Sequence, residues 1–249
     1  MGRLKNKVAV VTGANSGIGL ATAARFALEG ARVFMTGRRQ AELDAAVKLV
    51  GGNARGVRGD VSDLADLDRL YEVVRLEAGT IDVLFANAGG GSFVPLGDIT
   101  EEHYERTFAT NVKGTLFTVQ KALPFLRDGA SVILTGSTAA TTGTPAFSVY
   151  SASKAAIRSF VRCWILDLAS RRIRVNVLVP GATATPGWHG LAGSEEQDRQ
   201  MQMLSSAATP LGRLGTPDET ASAALFLASD ESSFVNGSEL FVDGGSAQI

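Results

Sequence analysis

The 249-residue sequence predicts a doubly wound α/β fold, a parallel sheet covered by helices on both faces. Short apolar runs alternate with longer amphipathic segments along the whole chain. The short runs are continuously apolar rather than alternating, as strands buried on both faces are. The first of them leads directly into a glycine-rich turn.

Taken in order, the strand candidates are "KVAVVT" (7–12), "ARVFMT" (31–36), "VLFAN" (83–87), "SVILTG" (131–136), "IRVNVLVP" (173–180) and "ELFVD" (239–243). "RGVRGD" (55–60) is a weaker one in the same rhythm. Between them, helical periodicity covers 17–29, 39–50, 63–78, 101–126, 149–169 and 217–228. Gly30 is placed to stop the first helix, and Thr100 precedes "EEHYE" as an N-cap. The irregular stretch 181–215 follows a strand at its carboxyl end, where ligands bind in open α/β sheets. Its helical piece near 194–205 is expected to form a mobile lid over about 184–212. With no repeat, low-complexity tract or linker, 1–249 is expected to be a single domain.

A chain that is 45% hydrophobic and 20% charged has the composition for one large core. A net charge of −1 without a basic run gives no electrostatic footprint for nucleic acid. A single cysteine, Cys163, excludes an intrachain disulfide, and with only His103 and His189, far apart, no metal site is expected. No apolar run reaches the roughly 18 residues that span a bilayer, and the N-terminus has no signal pattern. A soluble, cytoplasmic protein that engages no membrane is the expectation. His103, among acidic neighbours, is expected at the surface.

In "VVTGANSGIG", Gly13, Gly17 and Gly19 fall between a strand and a helix, with Asn15, Ser16 and Ile18 interleaved. Glycines there permit a tight turn and close approach of the backbone to a phosphate, which the helix N-terminus then attracts. The spacing is G-x-x-x-G-x-G rather than G-x-G-x-x-G. An NAD site has an acidic residue about 20 residues further on, for the ribose. This chain instead has Gly37, Arg38 and Arg39. Glycine leaves room and Arg38 offers a charge-assisted pair to a 2′-phosphate, so NADP(H) is expected over NAD(H).

In "SVYSASKAA", Tyr150 and Lys154 lie one helical turn apart, in line with Ile157, Val161, Ile165 and Leu168. That stripe faces the core, an unusual place for lysine. A cation near a phenol favours the phenolate, so Lys154 is expected to lower the pKa of Tyr150 toward neutrality. Ser137 stands just beyond a strand's carboxyl end, placed to hydrogen-bond a substrate oxygen.

These residues resemble the short-chain dehydrogenase/reductase family over essentially the whole chain. The resemblance rests on "TGANSGIG" (12–19), "GDV" (59–61), "NAG" (87–89), Asn111 in "TNVKG", Ser137, "YSASK" (150–154), "RVNVLVPG" (174–181) and "VDGG" (242–245). It implies a seven-stranded parallel sheet and a nicotinamide cofactor. Asn111, Ser137, Tyr150 and Lys154 match the family's catalytic four, with Asn111 holding a water that links Lys154 to solvent. Asp60 and Val61 would hold the adenine, with Asn87, Ala88 and Gly89 lining its neighbourhood. Pro180, Gly181, Thr183 and Thr185 would complete the cofactor site, Thr185 at the carboxamide. Tyr150 and Lys154 would also touch the cofactor.

The expected activity is NADP(H)-dependent carbonyl reduction, or secondary alcohol oxidation in reverse, with Tyr150 as general acid/base. An NAD(H)-dependent sugar or steroid alcohol dehydrogenase and a non-catalytic cofactor sensor are the alternatives. Substrate contacts are expected from Ser137, Thr138, Ala139, Phe147, Tyr150 and Trp188, with Ala140 and Thr144 nearby. The apolar second face around Cys163, Phe160, Trp164 and Leu166 points to a homo-oligomer, a dimer or tetramer.

Overall fold

Seven parallel strands form one sheet: β1 (Val8–Thr12), β2 (Arg32–Gly37), β3 (Ala54–Arg58), β4 (Ile81–Ala86), β5 (Leu126–Thr135), β6 (Arg174–Pro180) and β7 (Glu239–Val242). Their order is β3-β2-β1-β4-β5-β6-β7, in the computed structural model, which describes residues 2–248. Nine α-helical segments accompany them among the described residues. These are α1 (Gly17–Leu28), α2 (Gln40–Val50), α3 (Leu64–Glu77), α4 (Glu101–Phe108), α5 (Gly114–Ala122), α6 (Ser148–Asp167), α7 (Pro186–His189), α8 (Glu195–Ala208) and α9 (Pro217–Ala228).

Successive strand residues point to opposite faces, and each face has its own helices. Val10, Phe34, Leu84, Val132 and Val177 pack with Leu70, Val74, Val119, Ile157 and Val161 of α3, α5 and α6. Val11, Met35, Phe85, Ile133 and Leu178 pack with Phe26, Leu43, Ala224 and Leu225 of α1, α2 and α9. Both layers are dry, which explains the continuous apolarity of the strands. β1 pairs with β2 on one side and β4 on the other. The chain order reverses there, so the carboxyl ends of β1 and β4 open a crevice.

The helix predicted over 101–126 is three pieces. Between α4 and α5, Ala109–Lys113 form a π-turn. His103, Thr107, Asn111 and Thr115 are all buried and recur every four residues. In a regular α-helix that spacing drifts by about 40° per step. The wider turn absorbs the drift and keeps all four on one face. His103 is therefore buried rather than at the surface, with its Nδ1 3.4 Å from Ser92 Oγ. α5 ends at Ala122, where Pro124 has no N–H to continue the hydrogen-bond ladder.

β5 begins five residues before its predicted start. Leu126 pairs with Ile81, the register shifts, and Ser131 then pairs with Val83. Gly129, at φ +79°, lies within the bulge. Gly30 stops α1 at φ +93°, and the Thr100 side chain accepts from the His103 N–H, both as the sequence indicates. No helix among the described residues is long and apolar enough to cross a membrane.

Candidate active site

The carboxyl ends of β1, β2, β4, β5 and β6 meet beneath a cleft of about 870 Å³. Its floor is pinned by Asn87, just past β4. The Asn87 N–H donates to Thr12 Oγ1 (3.0 Å), its Nδ2 donates to the Thr12 carbonyl (3.0 Å), and its Oδ1 accepts from Thr135 Oγ1 (3.3 Å). One side chain thus joins the ends of β1, β4 and β5.

The glycine turn rises from this floor. Gly13 and Gly17 have φ of +64° and +54°, conformations that disfavour a side chain. A Cβ on Gly13 would also meet Ala88 Cα at 2.9 Å, and one on Gly19 would collide with the Gly13 carbonyl. Ser16 caps α1 without a side-chain hydrogen bond to its first turn. The first N–H groups of α1 therefore face the cleft, as an anion site requires. A phosphate-bearing dinucleotide fits these residues.

At the tip of β2, Gly37 has Asn15 resting on it: a Cβ there would meet Asn15 Oδ1 at 2.8 Å. Arg38 lies 3.8 Å from Asp60, and Arg39 lies 2.6 Å from Glu42. Both arginines are exposed. Asp60 also accepts from the Ser62 N–H and hydroxyl at 2.9 and 2.7 Å. Val61 packs against Gly114.

Tyr150 and Lys154 lie on the first turns of α6. Lys154 is buried, with Nζ 5.7 Å from the centroid of the Tyr150 ring and donating to the Thr135 carbonyl at 2.9 Å. The Tyr150 phenol and Ser137 line the same part of the cleft. Burial pushes Tyr150 above its ordinary 10, with the Ser137 hydroxyl opposing the rise, and pushes Lys154 down to about 8. The sequence-based expectation that Lys154 depresses Tyr150 is thus corrected. Desolvation dominates both groups and outweighs what favours the phenolate.

Asn111 lies behind the cleft wall, fully buried in the π-turn. Its Oδ1 accepts from Gly90 N–H (3.0 Å), and its Nδ2 donates to the Gly90 carbonyl and to Ser153 Oγ (both 2.9 Å). Ser153 in turn donates to the Tyr150 carbonyl at 2.6 Å. The Asn111 amide is committed to bracing the Gly90 loop and the Tyr150 turn. A water link to Lys154 would use the remaining lone pairs of its oxygens.

All the other expected residues line the cleft: Gly89, Pro180, Gly181, Thr183 and Thr185 beside the turn, and Thr138, Ala139, Phe147 and Trp188 beyond Tyr150. Thr144 lines it too, whereas Ala140 does not and its carbonyl accepts from Arg158. Thr185 accepts from the Trp188 N–H at 3.0 Å, capping α7, and its methyl side lies over Gly17. The segment carrying α7 and α8 is closed at its base, where the Gly215 and Ala184 N–H groups bond the carbonyls of Ala182 and Gly215. His189 Nδ1 lies 2.9 Å from Asp198, clasping α7 to α8, and this contact holds the carboxyl below its usual range.

Sequence reasoning missed Gly91, Phe93, Arg106 and Leu191 in the lining, and Ser153 behind it. Only Ser153 had a signal, since it sits inside "YSASK" three residues from Tyr150. On α6, Phe160 and Trp164 stack and pack partly against the core, while Cys163 and Leu166 are exposed. Among the described residues no three His, Cys, Asp or Glu side chains cluster as metal ligands would.

A family model described as Enoyl-(Acyl carrier protein) reductase matches residues 13–247. An oxidoreductase of Sarocladium schorii, asL5, is 51% identical over 249 residues, 99% of this chain and 98% of its own length. A short-chain dehydrogenase/reductase of Pestalotiopsis microspora is 36% identical over 255 residues, 98% and 96% respectively. A probable tetrahydroxynaphthalene reductase of Zymoseptoria tritici is 35% identical over 255 residues, 97% and 95%.

Proposed function

The chain belongs to the short-chain dehydrogenase/reductase family, and we propose that it is an NADP(H)-dependent carbonyl reductase, a secondary alcohol dehydrogenase in reverse. The observation that carries this reading is the grouping of Tyr150 and Ser137, with the Lys154 cation beside the Tyr150 ring, in a cleft shared with the glycine turn. A bound reduced nicotinamide would supply the hydride. Tyr150 and Ser137 direct two hydroxyls at one point, where a ketone oxygen can accept from both. As that oxygen gains charge, Tyr150 passes it the phenolic proton, and the Lys154 ammonium favours the phenolate left behind. The name of the Zymoseptoria tritici relative supports the reductase direction.

The preference for NADP(H) is supported by the absence of a carboxylate at the β2 tip and by Arg38. Its Asp60 contact is long and exposed, so turning toward a 2′-phosphate costs little. The exposed Leu166 on α6 and Tyr104 on α4 support a homo-oligomer.

The test is cofactor consumption with a panel of ketones. NADPH oxidation with at least one ketone, faster than NADH oxidation and lost in Tyr150→Phe while NADPH still binds, is the expected result. Undiminished turnover by Tyr150→Phe would reject the tyrosine, and NADH preference would reject the cofactor.

A further inference from the structure

Beyond Tyr150 the cleft wall is a row of aromatic rings. Phe147, immediately before α6, stacks on Tyr150 with centroids 4.4 Å apart and planes at 27°. Phe93, in the loop after β4, packs against Phe147 in a tilted arrangement, at 4.6 Å and 37°. Phe147 is 9% exposed, whereas Phe93 is 40% exposed although both line the cleft. The row therefore runs from the reactive phenol to a ring with a free surface.

This row is built rather than incidental. Ala146 holds φ +58°, which costs a residue with a side chain about 1–2 kcal/mol. Its carbonyl accepts from the Val94 N–H at 2.7 Å, joining the two loops that carry Phe93 and Phe147. Gly91 presses on the Tyr150 ring, where a Cβ would meet Cδ2 at 2.6 Å. All three rings are thus fixed by backbone. Trp188, Leu191 and Met201 also line the cleft.

We propose that the substrate is a ketone fused to, or conjugated with, a planar aromatic ring system that lies along the Phe93–Phe147 wall. This rests on the carbonyl reductase reading and names the substrate class for that site. Planar rings gain offset stacking on fixed aromatic rings, beyond the area they bury. A polyol would exchange water for the rings of Phe93 and Phe147, which carry no hydrogen-bonding group.

The experiment compares 1-tetralone with trans-1-decalone, which shares its carbon skeleton but is saturated and puckered. In Phe93→Leu, which keeps apolar bulk, the ratio of their kcat/KM values should fall about tenfold in favour of the decalone. A ratio within twofold of the wild type would overturn the proposal. Calorimetric titration of NADPH-loaded protein with 2-naphthol and decahydro-2-naphthol, alcohols that present no carbonyl to accept hydride, reads the wall without turnover. Tighter binding of the naphthol, lost in Phe93→Leu, is the expected result, and equal affinities would overturn it. Turnover of neither ketone together with naphthol selectivity would sink the carbonyl reductase reading and leave the aromatic site standing.

Discussion

Lys154 donates its hydrogen bond to the carbonyl of Thr135 and has no carboxylate partner among the described residues. The cation is held by a backbone dipole at the end of β5, and burial brings its pKa down from 10.5 to about 8. Between those values the unfolded chain binds more protons than the folded one, so stability rises with pH through that window. The desolvation cost is fully present below about pH 8. Lys154→Met should therefore be more stable than the wild type at pH 7, by up to about 3 kcal/mol less roughly 1 kcal/mol for the lost hydrogen bond. The gap should close between pH 8 and 10.5. Urea unfolding of the cofactor-free pair at several pH values measures this, and a pH-independent gap would refute it.

The same ionisation should appear in turnover. Ketone reduction should decline as pH rises through about 8, where Lys154 loses its proton. Lys154→Arg keeps the charge at all accessible pH. If it retains activity, its alkaline limb should move upward by more than one unit. An unmoved limb would mean that another group controls the decline.

Gly91→Ala tests how closely the reactive ring is held. The added methyl would meet Tyr150 Cδ2 at 2.6 Å and Cγ at 2.9 Å, so the ring must shift. A displacement of that size should cost about 10²-fold in kcat. NADPH affinity should change less than threefold, because the glycine turn is untouched. Wild-type kcat in this variant would show that the ring has slack.

Ser153→Ala removes the hydroxyl between Asn111 and the Tyr150 carbonyl. It leaves a buried N–H donor without a partner, at a cost of about 1–3 kcal/mol. Thermal unfolding should register that loss. If Ser153 also positions Tyr150, kcat should fall while the KM for ketone stays within twofold; destabilisation with unchanged kcat would make it purely structural.

Arg38→Ala should weaken NADPH binding about tenfold and leave NADH binding nearly unchanged. Gly37→Asp is a poorer probe of the same question, because its Cβ would strike Asn15 and deform the turn. Equal losses for both cofactors would remove Arg38 from the 2′-phosphate.

Most of the sheet was legible because its central strands are covered on both faces, and a run such as "VAVVT" has no exposed position to disguise it, whereas β3 exposes Arg55 and Arg58. The proposed catalytic pair was legible because Tyr150 and Lys154 are local to one helix. What escaped depends on chain segments distant in sequence. Gly91 and Phe93 acquire meaning only when the loop after β4 packs against residues 146–150, some 55 positions on. The pKa directions escaped for a related reason: spacing gives proximity but not the depth of burial that outweighs it. The break in 101–126 was partly readable, since a strict four-residue recurrence of buried polar positions departs from the helical period.

That break makes chain length a determinant of the geometry behind Tyr150. Losing one residue between Ala109 and Lys113 would let α4 and α5 fuse into one regular helix. Everything on one side would then turn by roughly a quarter of a revolution relative to the other. Asn111 would leave Gly90 and Ser153, and Val119 and Ala122 would rotate out of the core they now fill. Surface loops absorb insertions and deletions readily. This outwardly regular helix does not, so a relative with a gap at these five positions must brace its tyrosine in another way.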